Sequence, residues 1–537
     1  MPTVEAPNTN GGNQSQFQDI LTTFTSLTDP LAIHSALLVL DHALQGANAS
    51  EATQQILSSI PLSHFLQLLE TDHGNDTELT IDRTCNVIES LLRDQSFSTI
   101  SQDSLLHDAL LQALNAAFPR VHALGLSQVD KIANENISVL KSMLESDVFK
   151  ATVEGIASES IAIAERSKQT LLKICKGQDR LKAVVNYDPS FYLIRNLATS
   201  RGSVVQLRMI EALASLAGES QESLNLLESM GLLDSLKNGL GAVDILTRFN
   251  IIEILSEFGA TKAGSQYLDQ SGILKRLGEV VQFEVQDDEL GTTAIIKLYG
   301  KLGSSTDIDF IALDMKYQIL SQLQWILVGS DDYTPSESLQ VEAMATFGLS
   351  GGNIRNLEWV CDSSCASTFI GLLSTLRRDS KVGWYHSLAQ ILACSSNPSS
   401  EIQRIISNFY SKLEEPGQSP FITRLLVSAK SQTTELSMSA LTVMISLARY
   451  PFGVQNMGSQ REVISFLLDR NAELSHPQKV AKFEVIEAVL KTYDDAKRTS
   501  NTSLLMNDQV SHLDLIRRQG PFYQRATATV AIQDIAA

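Results

Sequence analysis

Arg208-Met209-Ile210-Glu211-Ala212-Leu213-Ala214-Ser215-Leu216-Ala217, followed by Gly231-Leu232-Leu233, has a counterpart further along the chain. It is Asn250-Ile251-Ile252-Glu253-Ile254-Leu255-Ser256-Glu257-Phe258-Gly259, followed by Gly272-Ile273-Leu274. Glu211 and Glu253 stand 42 residues apart, Gly231 and Gly272 41 apart. A fixed period of roughly 40–47 residues in helical text is the mark of a HEAT or armadillo array. Each repeat in such an array packs only on its neighbours, so the product is a long surface rather than an enclosed pocket. The sequence therefore predicts an all-α, HEAT/armadillo-like helical-repeat solenoid (an α-α superhelix).

The period extends in both directions from these two copies. Leu172 precedes Leu213, and Gly177 precedes Gly218, by 41 residues. Ile251, Ile252, Ile254 and Phe258 return as Ile295, Ile296, Leu298 and Leu302, 44 residues on. Leu441, Met444 and Leu447 return as Phe483, Ile486 and Val489, 42 residues on. About ten to twelve repeats are expected, the outer ones degenerate because terminal repeats are atypical. Residues 1–16 read as a disordered leader, 17–493 as the solenoid, 494–509 as a flexible loop and 510–537 as a C-terminal cap and tail. Gly329–Ser338 reads as a polar loop between repeats.

The order inside each repeat is armadillo-like. A short helix starts after a glycine, as at Gly272, because glycine lets two helices meet at a sharp angle. A longer helix follows, and in this repeat type the longer helix lines the concave face. That places Val204–Ala217, Leu246–Gly259, Thr292–Leu302, Leu339–Phe347, Leu436–Ala448 and Val480–Lys491 on the concave side. Their exposed polar positions are the candidate partner contacts: Arg208, Glu211, Ser215, Arg248, Glu253, Glu257, Lys297 and Lys301. Each is equally readable as an ordinary solvated helix position.

Composition narrows the function class. The formal net charge is −19, and Met1–Asp82 hold ten acidic residues and no Lys or Arg. Such a chain repels phosphate backbones, which argues against nucleic acid as a ligand. The acidity reads first as a source of solubility and second as attraction for a basic partner. Five cysteines in 537 residues make no disulfide framework, which fits a reducing compartment. No stretch approaches the roughly 18 apolar residues of a membrane helix, so no membrane partner is expected. The cytoplasm is the expected location, with the nucleus also open.

No catalytic constellation survives inspection. Gly348-Leu349-Ser350-Gly351-Gly352 fits the Gly-x-Ser-x-Gly pattern, but it follows a helical stretch instead of a strand and reads as a helix stop. Cys361 and Cys365 lack a second ligand pair, and a structural zinc needs four ligands. Trp325, Trp359 and Trp384 read as core residues. Nuclear-import adaptors of the armadillo class grip basic peptides with a Trp and Asn ladder. Here Glu211/Ser215 and Glu253/Glu257 stand in its place. No enzyme, cofactor or metal is expected.

Four stretches carry a resemblance. They are Gly264-Ser265-Gln266-Tyr267-Leu268-Asp269-Gln270-Ser271-Gly272-Ile273, Leu298-Tyr299-Gly300-Lys301-Leu302-Gly303, Ala481-Lys482-Phe483-Glu484-Val485 and Gly520-Pro521-Phe522-Tyr523. With them the chain resembles the 26S proteasome non-ATPase regulatory subunit 5 family over about Asp179–Tyr523. The resemblance implies a HEAT/armadillo-like chaperone of proteasome base assembly. Its partner would be the C-terminal helical domain of a base ATPase subunit, held in an assembly intermediate of the 19S regulatory particle and released before the mature particle forms. The alternative is another armadillo/HEAT scaffold, such as a transport or cytoskeletal adaptor.

Overall fold

A computed structural model describes residues 10–46, 48–70, 77–199, 203–241, 244–414, 417–470, 472–500 and 503–523. The described residues are helical apart from turns and one isolated β-bridge, Ser330 to Tyr333. The chain divides into two compact units, Met1–Gly239 and Leu240–Ala537.

In the first unit, five longer helices stack one on the next: Pro30–Gln45, Thr77–Leu91, Pro119–Val129, Ile161–Cys175 and Ser203–Gly218. The last three begin 42 residues apart. Pairs of shorter helices connect them, as Gln178–Asn186 and Asp188–Thr199 connect the last two. The second unit repeats the plan with Ile245–Gly259, Glu289–Ser304, Glu337–Gly352, Arg378–Leu392, Thr434–Leu447 and His476–Ser500, each packed on its successor. Two short helices and one long helix per repeat is the helical-repeat architecture that the 42-residue period predicts.

A long helix in the interior of either unit is enclosed on most of its circumference because it lies between two others and over its own short helices. In Glu289–Ser304 the buried set includes Ile295, Ile296, Leu298, Tyr299 and Leu302 together with three glycines, Gly291, Gly300 and Gly303. Thr293, Lys297, Lys301 and Ser304 escape burial and fall on one stripe at the three-to-four spacing of a helix face. The glycines set how near neighbouring helices come. A Cβ on Gly303 would sit 2.1 Å from Ser350 Oγ, and one on Gly348 would sit 2.6 Å from Ser387 Cα. Helix starts are fixed by side-chain caps, such as Asp244 on Thr247 N–H at 2.9 Å and Asp288 on Gly291 N–H at 2.9 Å. Each such cap contributes about 1 kcal/mol.

Several expectations need correction. The leader is helical from Asn10, within the Asn10–Thr23 helix, and residues 1–9 lie outside the described residues. The 494–509 segment is mostly helix: His476–Ser500 runs through its first half and Asn507–Gln519 begins inside it. Its charges suit a helix, since Arg498 pairs with Asp495 at i,i+3 (3.8 Å) and Arg517 reaches back to Asp494 (3.4 Å). The cap is therefore a helix with a terminal turn through Tyr523, and the tail 524–537 lies outside the described residues. Gly348–Gly352 does not stop its helix at Gly348. The helix continues to Gly352; Gly348 and Gly351 are buried against Arg378–Leu392, and Ser350 is buried against Gly303 of Glu289–Ser304. Leu171, not Leu172, is the buried counterpart of Leu213, because the structural spacing there is 42. The Gly329–Ser338 loop folds as a tight turn after Gly329 (φ +77°), with the Tyr333 ring stacked on Trp325 at 5.3 Å.

Candidate partner-binding ridge

The eight candidate residues all lie on the long helices, but their side chains are engaged very differently. In the first unit, Arg208 turns inward and donates to Ile156 O (3.1 Å) and Ser158 O (2.9 Å), closing the end of the short helix Gly155–Ala157. Glu211 is half-buried and pairs at 2.8 Å with Lys168, a residue only 6% exposed whose ammonium also holds Glu165 at 2.8 Å. Burial disfavours that ammonium, yet the two carboxylates outweigh it and hold Lys168 above the usual lysine range. Ser215 is exposed, its hydroxyl donating to Glu211 O at 2.9 Å.

In the second unit, Arg248 also serves the fold. Its Nε (2.8 Å) and terminal nitrogen (2.6 Å) both reach Asp288 Oδ2, and Asp288 is 4% exposed. Glu257 and Lys301 pair on the surface, joining adjacent long helices. Lys297 is exposed and Glu253 half-buried. Both act on a residue that the sequence reading passed over, the half-buried Glu342. Burial raises the Glu342 carboxyl above its usual range, Lys297 opposes the rise and Glu253 adds to it. Glu342 was findable: it stands 45 residues after Lys297, as Lys297 stands 44 after Glu253. The second unit thus presents a ridge of alternating charge, Glu253, Lys297 and Glu342, beside the Glu257–Lys301 pair. Such a ridge can meet a partner of complementary charge.

Among the described residues, no group of three or more His, Cys, Asp or Glu is placed to hold a metal ion, and no helix is long and apolar enough to cross a membrane. Cys361 and Cys365 are buried free thiols, and burial pushes Cys361 up to about 12. Trp384 is fully buried, stacked on Phe369 at 4.9 Å, and its Nε1 donates to Phe369 O at 2.7 Å. Trp359 is 37% exposed and donates to Asp314 Oδ2 at 2.7 Å, so it is a surface bolt and not a core residue.

The motif stretches have structural explanations. Gly264 lies so close to the end of the preceding long helix that a Cβ would fall 1.9 Å from Phe258 O, and Gly453 stands in the same relation to Leu447 O at 2.1 Å. Gly272 adopts left-handed φ +77° and starts Ile273–Phe283. Gly520–Tyr523 is clamped by Arg470, which donates to Gly520 O and Tyr523 O (both 3.3 Å), while Phe522 stacks on His476 at 4.3 Å.

Known proteins give the chain its relatives. The family described as proteasome non-ATPase 26S subunit matches residues 14–537. The 26S proteasome non-ATPase regulatory subunit 5 of Bos taurus is 23% identical over 504 residues, covering 90% of this chain and 95% of that protein. Its Homo sapiens counterpart is 23% identical over 508 residues (93% and 95%), and that of Drosophila melanogaster 22% over 432 residues (76% and 78%). Among solved structures, one of Kap95p with RanGDP superposes with a TM-score of 0.56 at 13% identity, covering 91% of this chain and 59% of that chain, a likeness of fold alone. With a match that spans nearly its whole length, the chain belongs to the proteasome non-ATPase 26S subunit family.

Proposed function

We propose that this protein is a chaperone of 26S proteasome assembly. It associates with proteasome components, binding the C-terminal domain of a base ATPase subunit while the 19S regulatory particle forms and leaving before the particle matures. The observation that carries this reading is the similarity, over nine-tenths of the chain, to proteins named 26S proteasome non-ATPase regulatory subunit 5. The fold supports it. A helical-repeat layer with a charged ridge offers a broad surface that can cover a helical domain and delay its docking by steric exclusion. The ridge of Glu253, Lys297 and Glu342, with Glu257 and Lys301, is the proposed contact surface of the second unit, and Glu211 and Ser215 that of the first. Arg208 and Arg248 support it from beneath. The protein acts as a non-catalytic scaffold in the cytoplasm, with the nucleus as a further site.

Affinity isolation of the tagged chain from lysate tests the reading. Recovery of base ATPases without the proteolytic core supports it. Recovery of cargo receptors or tubulin-binding proteins in their place would overturn it and favour an adaptor. Charge reversals Lys297→Glu and Glu257→Lys should weaken binding to the purified ATPase domain several-fold and flatten its salt dependence. The exposed Glu257–Lys301 pair contributes little to stability, so Glu257→Lys stays folded, and urea unfolding of Lys297→Glu, which adds a carboxylate beside Glu253 and Glu342, separates lost binding from lost stability.

A further inference from the structure

We propose that the Met1–Gly239 unit carries a rail for a single partner helix, one that is amphipathic, bears an aliphatic residue at every seventh position and is flanked by lysine or arginine. Five apolar side chains form the rail: Leu38, Leu79, Phe118, Ile161 and Val204, between 44% and 76% exposed. Each of the five stacked long helices supplies one, Phe118 from the N-cap of Pro119–Val129. Single exposed apolar residues are ordinary, whereas adjoining ones mark a contact surface. Contacts between neighbouring helices show that these five adjoin. Arg83 reaches Asp41 (3.5 Å), an offset of 42 residues, and Leu79 follows Leu38 by 41. Lys131 reaches Leu92 O, an offset of 39, and Phe118 follows Leu79 by 39. His122 meets Ser167 (3.3 Å) 45 residues on, and Asp130 meets Thr170 (2.9 Å) 40 on, bracketing the 43 between Phe118 and Ile161. Lys168 meets Glu211 (2.8 Å) 43 residues on, and Val204 follows Ile161 by 43. The repeat itself does not require such a row, since four of the second unit's long helices start on Glu337, Arg378, Thr434 and His476.

The spacing of the rail selects its occupant. Packed helices stand about 8–10 Å apart, so the rail offers one apolar side chain per step of that length over about 35 Å. An α-helix repeats one face every seven residues, about 10.5 Å. An extended strand repeats one face every second residue, about 6.7 Å, and falls out of step. A polyproline helix repeats every third residue, about 9.3 Å, but it docks in aromatic-lined grooves, and of these five side chains only Phe118 is aromatic. Charge sets the flanks. Glu78, Asp82 and Glu159 are exposed within three residues of the rail. The nearby cations are already engaged: Arg83 by Asp41, Arg120 by Glu89, and Lys168 by Glu165 and Glu211. A helix bearing lysine or arginine complements that surface. The rail goes beyond the proposed function, because it stands whichever protein supplies the helix.

The test peptide is an alanine-based helix of about thirty residues, enough to span the rail, with leucine at every seventh position and lysine beside each leucine. Labelled with fluorescein, it is titrated with the full-length protein at near-physiological salt. It should bind about tenfold more tightly than an isomer with leucine at every fifth position, and than the version with glutamate in place of lysine. Ile161→Ser/Val204→Ser should weaken binding of the lysine peptide by about tenfold. Both side chains are exposed, so the variant should keep its urea midpoint, and Leu79→Ser, at a separate step of the rail, repeats the test if it does not. Equal affinity for the two spacings or the two charges, an affinity unchanged in both variants, or tighter binding of a leucine-bearing polyproline peptide would overturn the proposal. Self-association in sedimentation that Ile161→Ser/Val204→Ser dissolves, with no peptide binding, would also overturn it and make a second copy the occupant.

Discussion

Arg248→Ala tests whether this arginine holds the fold together or contacts a partner. In the structure Asp288 is 4% exposed and receives two charged hydrogen bonds from Arg248, at 2.8 and 2.6 Å. Its other oxygen caps the next long helix through Gly291 N–H at 2.9 Å. Removing Arg248 deletes hydrogen bonds worth about 1.5–3 kcal/mol for a charged pair. It also strands a buried carboxylate, for a total loss of about 3–5 kcal/mol in such pairs. The retained Gly291 contact puts the expected loss at the low end, about 3 kcal/mol. Asp288→Asn keeps a capping acceptor and strands a guanidinium whose side chain is 18% exposed and can reach water, so its expected cost is smaller, about 1.5 kcal/mol. The double variant Arg248→Met/Asp288→Asn removes both charges and should recover much of the loss, as buried pairs replaced by neutral groups do. A repeat array need not unfold in one step, so the assay is hydrogen exchange resolved to Ile245–Gly259 and Glu289–Ser304, with urea unfolding alongside. If Arg248→Ala alters the opening free energy of those helices by less than about 1 kcal/mol, or if the double variant costs the sum of the singles, the buried-pair reasoning fails. Weakened partner binding at unchanged stability would mark Arg248 as a contact instead.

Gly348→Val should destabilise the second unit by about 1–3 kcal/mol through overpacking against Ser387 and Gln390, and an unchanged urea midpoint would refute the close-approach argument. Lys482 is desolvated, and its ammonium pKa falls to about 8 from the usual 10.5. The unfolded chain therefore binds more protons between those values, so this lysine's contribution to stability rises as pH climbs from about 8 to 10.5. The wild type minus Lys482→Met difference in unfolding free energy should follow that slope, and a flat difference would exclude it. Burial pushes the thiols of Cys85, Cys175 and Cys361 up to about 12 and raises Cys365 further. Burial raises the Cys394 thiol as well, but Cys394 alone is half-buried, so in the native protein it should be the first to react with a thiol reagent, with all five reacting after unfolding; early mapping of label to Cys361 would contradict this.

The repeat was legible in the sequence because long-helix burial is nearly complete. When one narrow stripe faces solvent, polar residues must recur at three- and four-residue steps inside apolar text, as at Glu253 and Glu257 or Lys297 and Lys301. What misled the reading was local composition outweighing packing. Glycine-rich Gly348–Gly352 looks like a helix end, yet its glycines are needed where two helices nearly touch. The charged 494–500 stretch looks like a loop, yet its charges pair along and across helices. The ridge was half-legible for a related reason. A pattern of polar positions tells which residues avoid the core but not which carbonyls lie within reach. Nothing in the text around Arg208 announces Ile156 O and Ser158 O, which lie about fifty residues earlier.

The Asn507–Gln519 helix has a consequence for the solution behaviour of the chain. It lies on Arg461–Leu468 and His476–Ser500, buries Leu513 completely, ties Arg517 to Asp494 across that contact, and leaves Asp508, Arg518 and Leu515 exposed. A stack of like repeats is in effect a growing one-dimensional crystal, and each uncovered end is a template for the next layer. This helix interrupts that growth face: it binds as another layer would but sets Asp508 and Arg518 beside the exposed Leu515, where a further layer needs unbroken apolar surface. Arg470 and His476, by holding Gly520–Tyr523 down, set how firmly the growth face stays closed. Loosening them would turn a question of fold into one of polymerisation, with aggregation depending on concentration where binding alone does not.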